Sequence, residues 1–360
     1  MILIAKIVSI DCNLKCDYCF YHQRSQNNNR LMSYDTLETL IKEGCDHSPI
    51  CIQFIWHGGE PLLAGLEFFE KIIEFQNKYR KNGQNIVNRV QTNGTLIDEK
   101  WAKFFHSNRF RIGISLDGPK NLHNIFRKYP DKDGSFDATW QGIQTLKQNY
   151  VVPGIIAVIN SVNVKFPQEM FEFFINSELK NLVFNPAMVK DDISGFPTGM
   201  VAEPMDYSNF INKIFDLWLE RDDSKTEIRQ IKSIIHALIG GKYRSCRFKS
   251  ECQKYPTIEY NGDIFPCDSE AQSKSICFGN IEQGLGYIFS SEIYKEYEKK
   301  IQQIRTGCLN CQWYKICHGG CTRDYYSKPR ELPKNYFCDG LKNTYEYISE
   351  SLKFYGILLS

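Results

Sequence analysis

The chain contains no apolar run that approaches the roughly 18 residues needed to cross a bilayer, so a helical membrane span is excluded. Charge of one sign is equally scarce. Lys+Arg 44 against Asp+Glu 42 leave a formal +2 over 360 residues, which argues against a strongly basic nucleic-acid binder. The opening segment reaches Asp11 and Cys12 without a basic n-region or a small-residue cleavage site, so it does not read as a signal peptide. Internal repeats and low-complexity stretches are missing as well. The 42% of hydrophobic residues suffices for a real core. A soluble, cytoplasmic protein of one large or two joined domains is expected, with neither nucleic acid nor membrane as partner.

Cysteine is what the chain has in excess, with 14 residues. Cys12, Cys16 and Cys19 open the series, and Cys246, Cys252 and Cys267 follow a long gap. Cys308, Cys311, Cys317, Cys321 and Cys338 close it, leaving Cys45, Cys51 and Cys277 outside these groups. In a long chain without a secretory signal, clustered thiols read as metal ligands and not as disulfides. The three outliers read as small buried hydrophobes.

Short apolar runs at 4–10, 51–56, 88–92, 111–116, 154–159 and 181–184 predict strands. Amphipathic stretches at 34–45, 66–79, 99–106, 136–148 and 167–177 predict helices between them. The alternation reads as βα units on a parallel sheet. Six such units fit an α/β partial (β/α)6 TIM-like barrel, with a doubly wound sheet as the alternative. Residues 201–244 read as a helical connector. Thr257-Ile258-Glu259-Tyr260 and Ile264-Phe265 flank Asn261-Gly262, a hairpin signal because Asn-Gly accepts positive φ. From there to a final helix near 341–352 the chain reads as irregular. The expected division is a barrel over 1–200, the connector, a cysteine-rich domain over 245–340 and a terminal helix over 341–360.

The loop Cys12-Asn13-Leu14-Lys15-Cys16-Asp17-Tyr18-Cys19 can hold three irons of a [4Fe–4S] cluster and leave one iron open, since a fully ligated cluster takes four cysteines. A zinc site completed by His22 is the alternative. Downstream, the cysteine loop follows the first predicted strand and Gly58-Gly59-Glu60-Pro61 the second, while Gln91 and Asn93 close the third and Ser115 and Asp117 the fourth. Active sites of βα barrels gather at the carboxyl ends of strands, so these motifs are expected on one face. The eight cysteines Cys246, Cys252, Cys267, Cys308, Cys311, Cys317, Cys321 and Cys338 suffice for two further clusters, or for a pair of zinc sites.

CX3CX2C followed by Phe20 is the signature of the radical S-adenosylmethionine (SAM) superfamily, and the later cysteines resemble an SPASM domain. The resemblance implies SAM on the open iron and three [4Fe–4S] clusters in all, with a SAM-derived radical that abstracts hydrogen from substrate. By the same resemblance, Gly58, Gly59, Glu60, Pro61, Gln91, Asn93, Ser115 and Asp117 line the SAM pocket, and Arg127 is a candidate for the SAM carboxylate, weighed against a plain solvated arginine. Cys246, Cys252, Cys267 and Cys321 would hold one auxiliary cluster. Cys308, Cys311, Cys317 and Cys338 would hold the other.

Stretches such as Ala64-Gly65-Leu66-Glu67-Phe68-Phe69, Gln91-Thr92-Asn93-Gly94-Thr95-Leu96-Ile97-Asp98 and Asp117-Gly118-Pro119-Lys120 are similar to anaerobic sulfatase-maturating enzymes. That likeness makes Asp268 the expected proton acceptor, with a turn-capping aspartate after the hairpin as the alternative, and Tyr21 an active-site tyrosine. Trp56-His57 departs from it, since those maturases usually carry Gln before the two glycines. The departure leans the reading toward oxidation or crosslinking of a ribosomal peptide precursor, with formylglycine formation from Cys or Ser in a sulfatase as the alternative. No separate leader-binding domain is expected. A peptide or protein substrate and an electron donor such as flavodoxin or ferredoxin are the expected partners. Arg323, Tyr325 and Tyr326 are candidates for a substrate channel.

Overall fold

The computed structural model describes residues 1–19, 21, 30–190, 195–241, 246–249, 251–273, 276–326 and 333–357. Phe20 of the signature and His22, the fourth ligand of the zinc alternative, lie outside the described residues, as does position 244 at the expected end of the connector.

Strand and helix alternate through the first half: β1 (Ile2–Lys6), α1 (Tyr34–His47), β2 (Cys51–His57), α2 (Leu66–Tyr79), β3 (Asn85–Thr92), α3 (Glu99–Ser107), β4 (Arg111–Ser115) and α4 (Lys120–Phe126). There follow α5 (Phe136–Gln148), β5 (Gly154–Ile159), α6 (Pro167–Asn176) and β6 (Asn181–Pro186). The expected connector is two helices, α7 (Pro204–Arg221) and α8 (Arg229–Leu238), separated by the short β7 (Glu227–Ile228). Beyond them lie β8 (Thr257–Glu259), β9 (Asp263–Phe265), α9 (Asp268–Ser273), β10 (Gly279–Asn280), α10 (Leu285–Ser290) and α11 (Glu292–Ile304). The chain ends with α12 (Tyr314–Cys317), β11 (Tyr325–Tyr326), β12 (Lys334–Asn335) and α13 (Cys338–Phe354). The region after the hairpin is thus not irregular as expected. Helix α11 combines Glu and Lys, which favour helix, with Ile293, Tyr294, Tyr297, Ile301 and Ile304 at helical spacing, and Tyr297 and Ile301 are buried.

Two compact units result. The first comprises residues 1–115, 127–153 and 251–300, and the second 116–126, 154–250 and 301–360. In the first, β1, β2, β3 and β4 pair in parallel in chain order. β8 adds to the other side of β1, also in parallel, with Ile4 opposite Thr257 and Lys6 opposite Glu259. This pairing is why residues 251–300 fold with the N-terminal half. The expected hairpin is present: β8 and β9 are antiparallel and Gly262 takes φ +86°.

Apolar alternation builds the core. Ile52, Phe54 and Trp56 of β2 are fully buried, and Phe69 of α2 meets Trp101 edge-on at 5.1 Å. Helix starts carry side-chain caps: Ser33 accepts from the Thr36 amide and Asp98 from that of Trp101, each satisfying a donor the helix leaves free. In the second unit β5, β6 and β7 pair in parallel. There Tyr207 of α7 donates to the Phe184 carbonyl at 2.8 Å, and Ser208 meets Thr344 of α13.

β1 ends four residues earlier than its apolar pattern predicts. Ile7 and Val8 are buried, but the backbone turns at Ser9, φ +53°. Hydrogen bonds from the Ser9 amide to the Lys6 carbonyl and from Asp11 to Val8 close that turn and launch the cysteine loop.

Candidate active site

The first cysteine loop sits directly beyond β1. Its backbone is held from three sides. The Glu60 amide donates to the Asp11 carbonyl at 2.7 Å, the Lys15 amide to the Lys128 carbonyl at 2.7 Å, and the Cys19 amide to the Cys16 carbonyl at 3.0 Å. The Leu14 amide points at the Cys12 sulfur, 3.3 Å away. Burial first, then the Glu60 carboxylate, pushes the Cys12 thiol up to about 12, and the Cys16 and Cys19 thiols add to the effect. A bound cationic centre would favour the thiolate form of Cys12 against these effects. Among the described residues, no three His, Cys, Asp or Glu side chains are drawn together closely enough to hold a single metal ion as they stand.

Gly58 and Gly59 follow β2 with φ +82° and +47°. A Cβ on Gly58 would lie 2.8 Å from Lys6 Cβ, and one on Gly59 would overlap the Asp11 carbonyl oxygen. Close approach to the cysteine loop therefore requires both glycines. Glu60 behind them is fully buried and collects donors: the Leu62 amide at 3.1 Å, Thr92 Oγ1 at 2.7 Å and the Asn93 amide at 2.7 Å. Burial still outweighs these bonds and raises its carboxyl to about 6. Pro61 opens a short 3-10 turn after it.

Asn93 links strand β3 to the cysteine loop. Its Nδ2 donates to Asn13 Oδ1 at 2.9 Å and lies 3.8 Å from the Cys12 sulfur. Gln91 donates to Ser115 Oγ at 3.1 Å. Arg127 is buried, not solvated, and its Nη1 donates to the Tyr18 hydroxyl at 2.8 Å. Asp117 belongs to the second unit, where its Oδ1 accepts the Val158 amide at 2.9 Å. The first unit thus gathers Cys12, Cys16, Cys19, Gly58, Gly59, Glu60, Gln91, Asn93, Ser115 and Arg127.

Tyr21, two residues past Cys19, is buried and donates its hydroxyl to Asp268 Oδ1 at 2.7 Å. Burial, then the Asp268 charge, holds the phenol well above its ordinary range. Asp268 begins α9 immediately after Cys267. Two residues far apart in sequence and singled out separately are in direct contact.

Sequence reasoning missed what lies behind them. Lys6 is fully buried, its Nζ 2.8 Å from Glu259 Oε1 and 4.5 Å from the centroid of the Tyr21 ring. The available signal was a single lysine inside an otherwise apolar strand. His57 stands opposite Lys6 on β2. Its Nδ1 is buried and, among the described residues, has no hydrogen-bond partner. Burial lowers the affinity of this imidazole for a proton, with Asp268 opposing and Lys6 reinforcing the effect.

The later cysteines divide between the units. Cys252 and Cys267 belong to the first, the other six to the second. In the second, burial raises the Cys317 thiol to about 12, and the Cys338 and Cys308 thiols push the same way. Cys308 Sγ also lies 3.8 Å from the Tyr325 hydroxyl. Burial followed by the Asp324 carboxylate raises Cys321 to about 11, with Cys246 contributing. A buried ion pair joins Arg247 to Asp324 beside them.

Parallel βα units, a three-cysteine loop beyond the first strand and a second cysteine framework define a radical SAM enzyme with an SPASM domain. The Radical SAM superfamily model matches residues 7–174 and the iron-sulfur cluster-binding SPASM model residues 246–321. The cysteine-type anaerobic sulfatase-maturating enzyme of Clostridium perfringens (strain 13 / Type A) is 34% identical over 353 residues, covering 96% of this chain and 95% of the relative. The serine-type enzyme of Bacteroides thetaiotaomicron is 29% identical over 98% of this chain and 90% of its own length. A solved structure of native anSMEcpe with bound AdoMet and Cp18Cys peptide superposes with a TM-score of 0.89 at 32% identity, over 98% of each chain. The chain belongs to the family of anaerobic sulfatase-maturating enzymes. It is a radical SAM/SPASM maturase of α/β fold, whose cofactors are SAM and iron–sulfur clusters. No helix among the described residues is long and apolar enough to cross a membrane.

Proposed function

We propose that the protein oxidises a cysteine side chain of a sulfatase peptide to formylglycine. The observation that carries this reading is the Tyr21–Asp268 hydrogen bond of 2.7 Å beside the three-cysteine loop. Similarity along nearly the full length to the cysteine-type enzyme supports formylglycine over the peptide crosslinking toward which His57 leaned the sequence reading. Relatives of both cysteine and serine type match the chain, and the higher identity favours cysteine.

Cys12, Cys16 and Cys19 would hold the SAM-binding cluster. Cys246, Cys252, Cys267 and Cys321 would hold one auxiliary cluster, and Cys308, Cys311, Cys317 and Cys338 the other. The barrel over 1–200 would carry the radical chemistry and the SPASM domain over 245–340 the auxiliary clusters. Bound SAM and the clusters supply removal of one hydrogen atom from the substrate Cβ and acceptance of one electron. Asp268 takes the thiol proton, and the Tyr21 hydroxyl holds that carboxylate in place. Loss of a hydrogen atom, a proton and one electron leaves a thioaldehyde, which water converts to the aldehyde with release of hydrogen sulfide. Glu60 would accept from the SAM ammonium, Arg127 would face its carboxylate, and Gly58, Gly59, Pro61, Gln91, Asn93, Ser115 and Asp117 would line the remainder of the pocket. A flavodoxin or ferredoxin would supply the reducing electron.

The test is anaerobic incubation of reconstituted enzyme with SAM, reductant and a Cys-containing sulfatase-type peptide, read by mass spectrometry. An aldehyde is expected. In Asp268→Asn, aldehyde formation should fall roughly 10²–10⁴-fold, the range for removing a general base, while 5′-deoxyadenosine still forms. 5′-Deoxyadenosine without any peptide change in the wild type would sink the sulfatase reading.

A further inference from the structure

Lysine is almost never fully buried unless paired, and a buried pair is weak evidence of stabilisation, because desolvation offsets its Coulombic attraction. Lys6 and Glu259 form such a pair at the carboxyl ends of β1 and β8. Parallel register sets His57, Lys6 and Glu259 side by side across β2, β1 and β8. Ser9 Oγ donates to the second oxygen of Glu259 at 3.1 Å, so the carboxylate cannot swing away without losing two partners. The Lys6 ammonium lies 4.5 Å from the Tyr21 ring centroid, within the range of a cation–π contact. The same ring carries the hydroxyl that holds Asp268.

We propose that the Lys6–Glu259 pair is a positioning device for the reaction: it fixes the Tyr21 ring, and through the Tyr21 hydroxyl it fixes the Asp268 carboxylate against the substrate side chain. Lys6 and Glu259 are positioning residues. They hold the phenol, and the phenol holds the carboxylate. Strand register places Lys6 and Glu259 side by side.

The inference rests on the proposed cysteine oxidation, and its readout is the yield of aldehyde per 5′-deoxyadenosine. The test variant combines Lys6→Met with Glu259→Leu, removing both charges and leaving neither partner stranded. Iron content and thermal midpoint are expected to match the wild type, while aldehyde per 5′-deoxyadenosine falls roughly tenfold, the scale of a small misplacement of a reacting group. Added to Tyr21→Phe, the charge-free pair should produce little further loss, because both act through one hydroxyl. A wild-type yield, or losses that simply multiply, would overturn the inference. If the charge-free variant does not fold, Lys6→Gln combined with Glu259→Gln, which removes both charges and keeps polar side chains of similar length, is read in the same two ways. A wild-type enzyme that makes no aldehyde would instead overturn the function on which the inference stands.

Discussion

The two cysteine centres that each lie within one unit are built from different neighbours. Around Cys12 the partners are amides and hydroxyls: Asn13, Asn93 and Thr95 form a bonded chain, and Glu60 is buried beside it. Around Cys317 they are aromatic. Tyr345 partly offsets the rise of the Cys317 thiol and packs on Trp313 at 5.7 Å, and the Tyr325 hydroxyl lies 3.8 Å from Cys308 Sγ. Polar walls suit a centre that must exchange a polar ligand, and aromatic walls suit one whose positions are all taken by thiols. The proposed sets, three thiols against four, would accord with this.

Removing thiols breaks this comparison most directly. Cys12→Ala, Cys16→Ala or Cys19→Ala should abolish 5′-deoxyadenosine formation and lower iron content by about four atoms, one cluster's worth, with the thermal midpoint nearly unchanged. Cys317→Ala should lose a similar amount of iron, retain 5′-deoxyadenosine formation, abolish aldehyde and lower the midpoint, because Cys338 begins the buried helix α13. If both sets destabilise equally, the distinction between an open and a closed centre fails.

A smaller effect comes from the polar wall itself. Glu60 ionises near 6 in the fold against an ordinary value of 4.5. A raised carboxyl binds its proton more tightly folded than unfolded, so its contribution is fully present below 4.5 and is lost as pH rises through about 6. The loss is about 2 kcal/mol at neutral pH. Unfolding free energies from urea titration of SAM-free wild type and Glu60→Gln should therefore diverge by that amount between pH 4.5 and 7, wild type losing ground as pH rises. Parallel profiles would show that the neighbouring donors already compensate its burial.

Much of this architecture is legible in the sequence because local signals agree. Helices α2 and α5 and strand β5 begin and end where the apolar periodicity places them. The motif residues are legible for another reason: Cys12, Cys16 and Cys19 are close enough in sequence to share one loop whatever the rest of the fold does. Long-range pairing is not. Lys6 and Glu259 meet only because β8 adds to β1 in one register, and a one-residue slip would turn each side chain to the other face. Arg127 looks like a solvated arginine until the cysteine loop closes over it through Tyr18. Helix α11 is legible too, since Ile293, Tyr294, Tyr297, Ile301 and Ile304 recur at helical spacing, but the cysteines on either side of it draw the reading away.

The smallest expected effects belong to the thiols outside both sets. Cys51 is exposed at the start of β2, its sulfur 3.8 Å from Asn85 Nδ2, so Cys51→Ser should change stability by no more than about 0.5 kcal/mol. Cys45 is fully buried on α1, and burial raises its thiol to about 11. Cys45→Ser places a hydroxyl in that site and should cost about 1–3 kcal/mol. Cys277 lies 3.4 Å from the Gly279 carbonyl, a contact that needs no metal. Iron content measured on all three serine variants should equal the wild type. Loss of iron from any one of them would mean that a ligand set extends beyond the eleven cysteines assigned above, and the contrast between an open three-thiol centre and closed four-thiol centres would have to be redrawn around that residue.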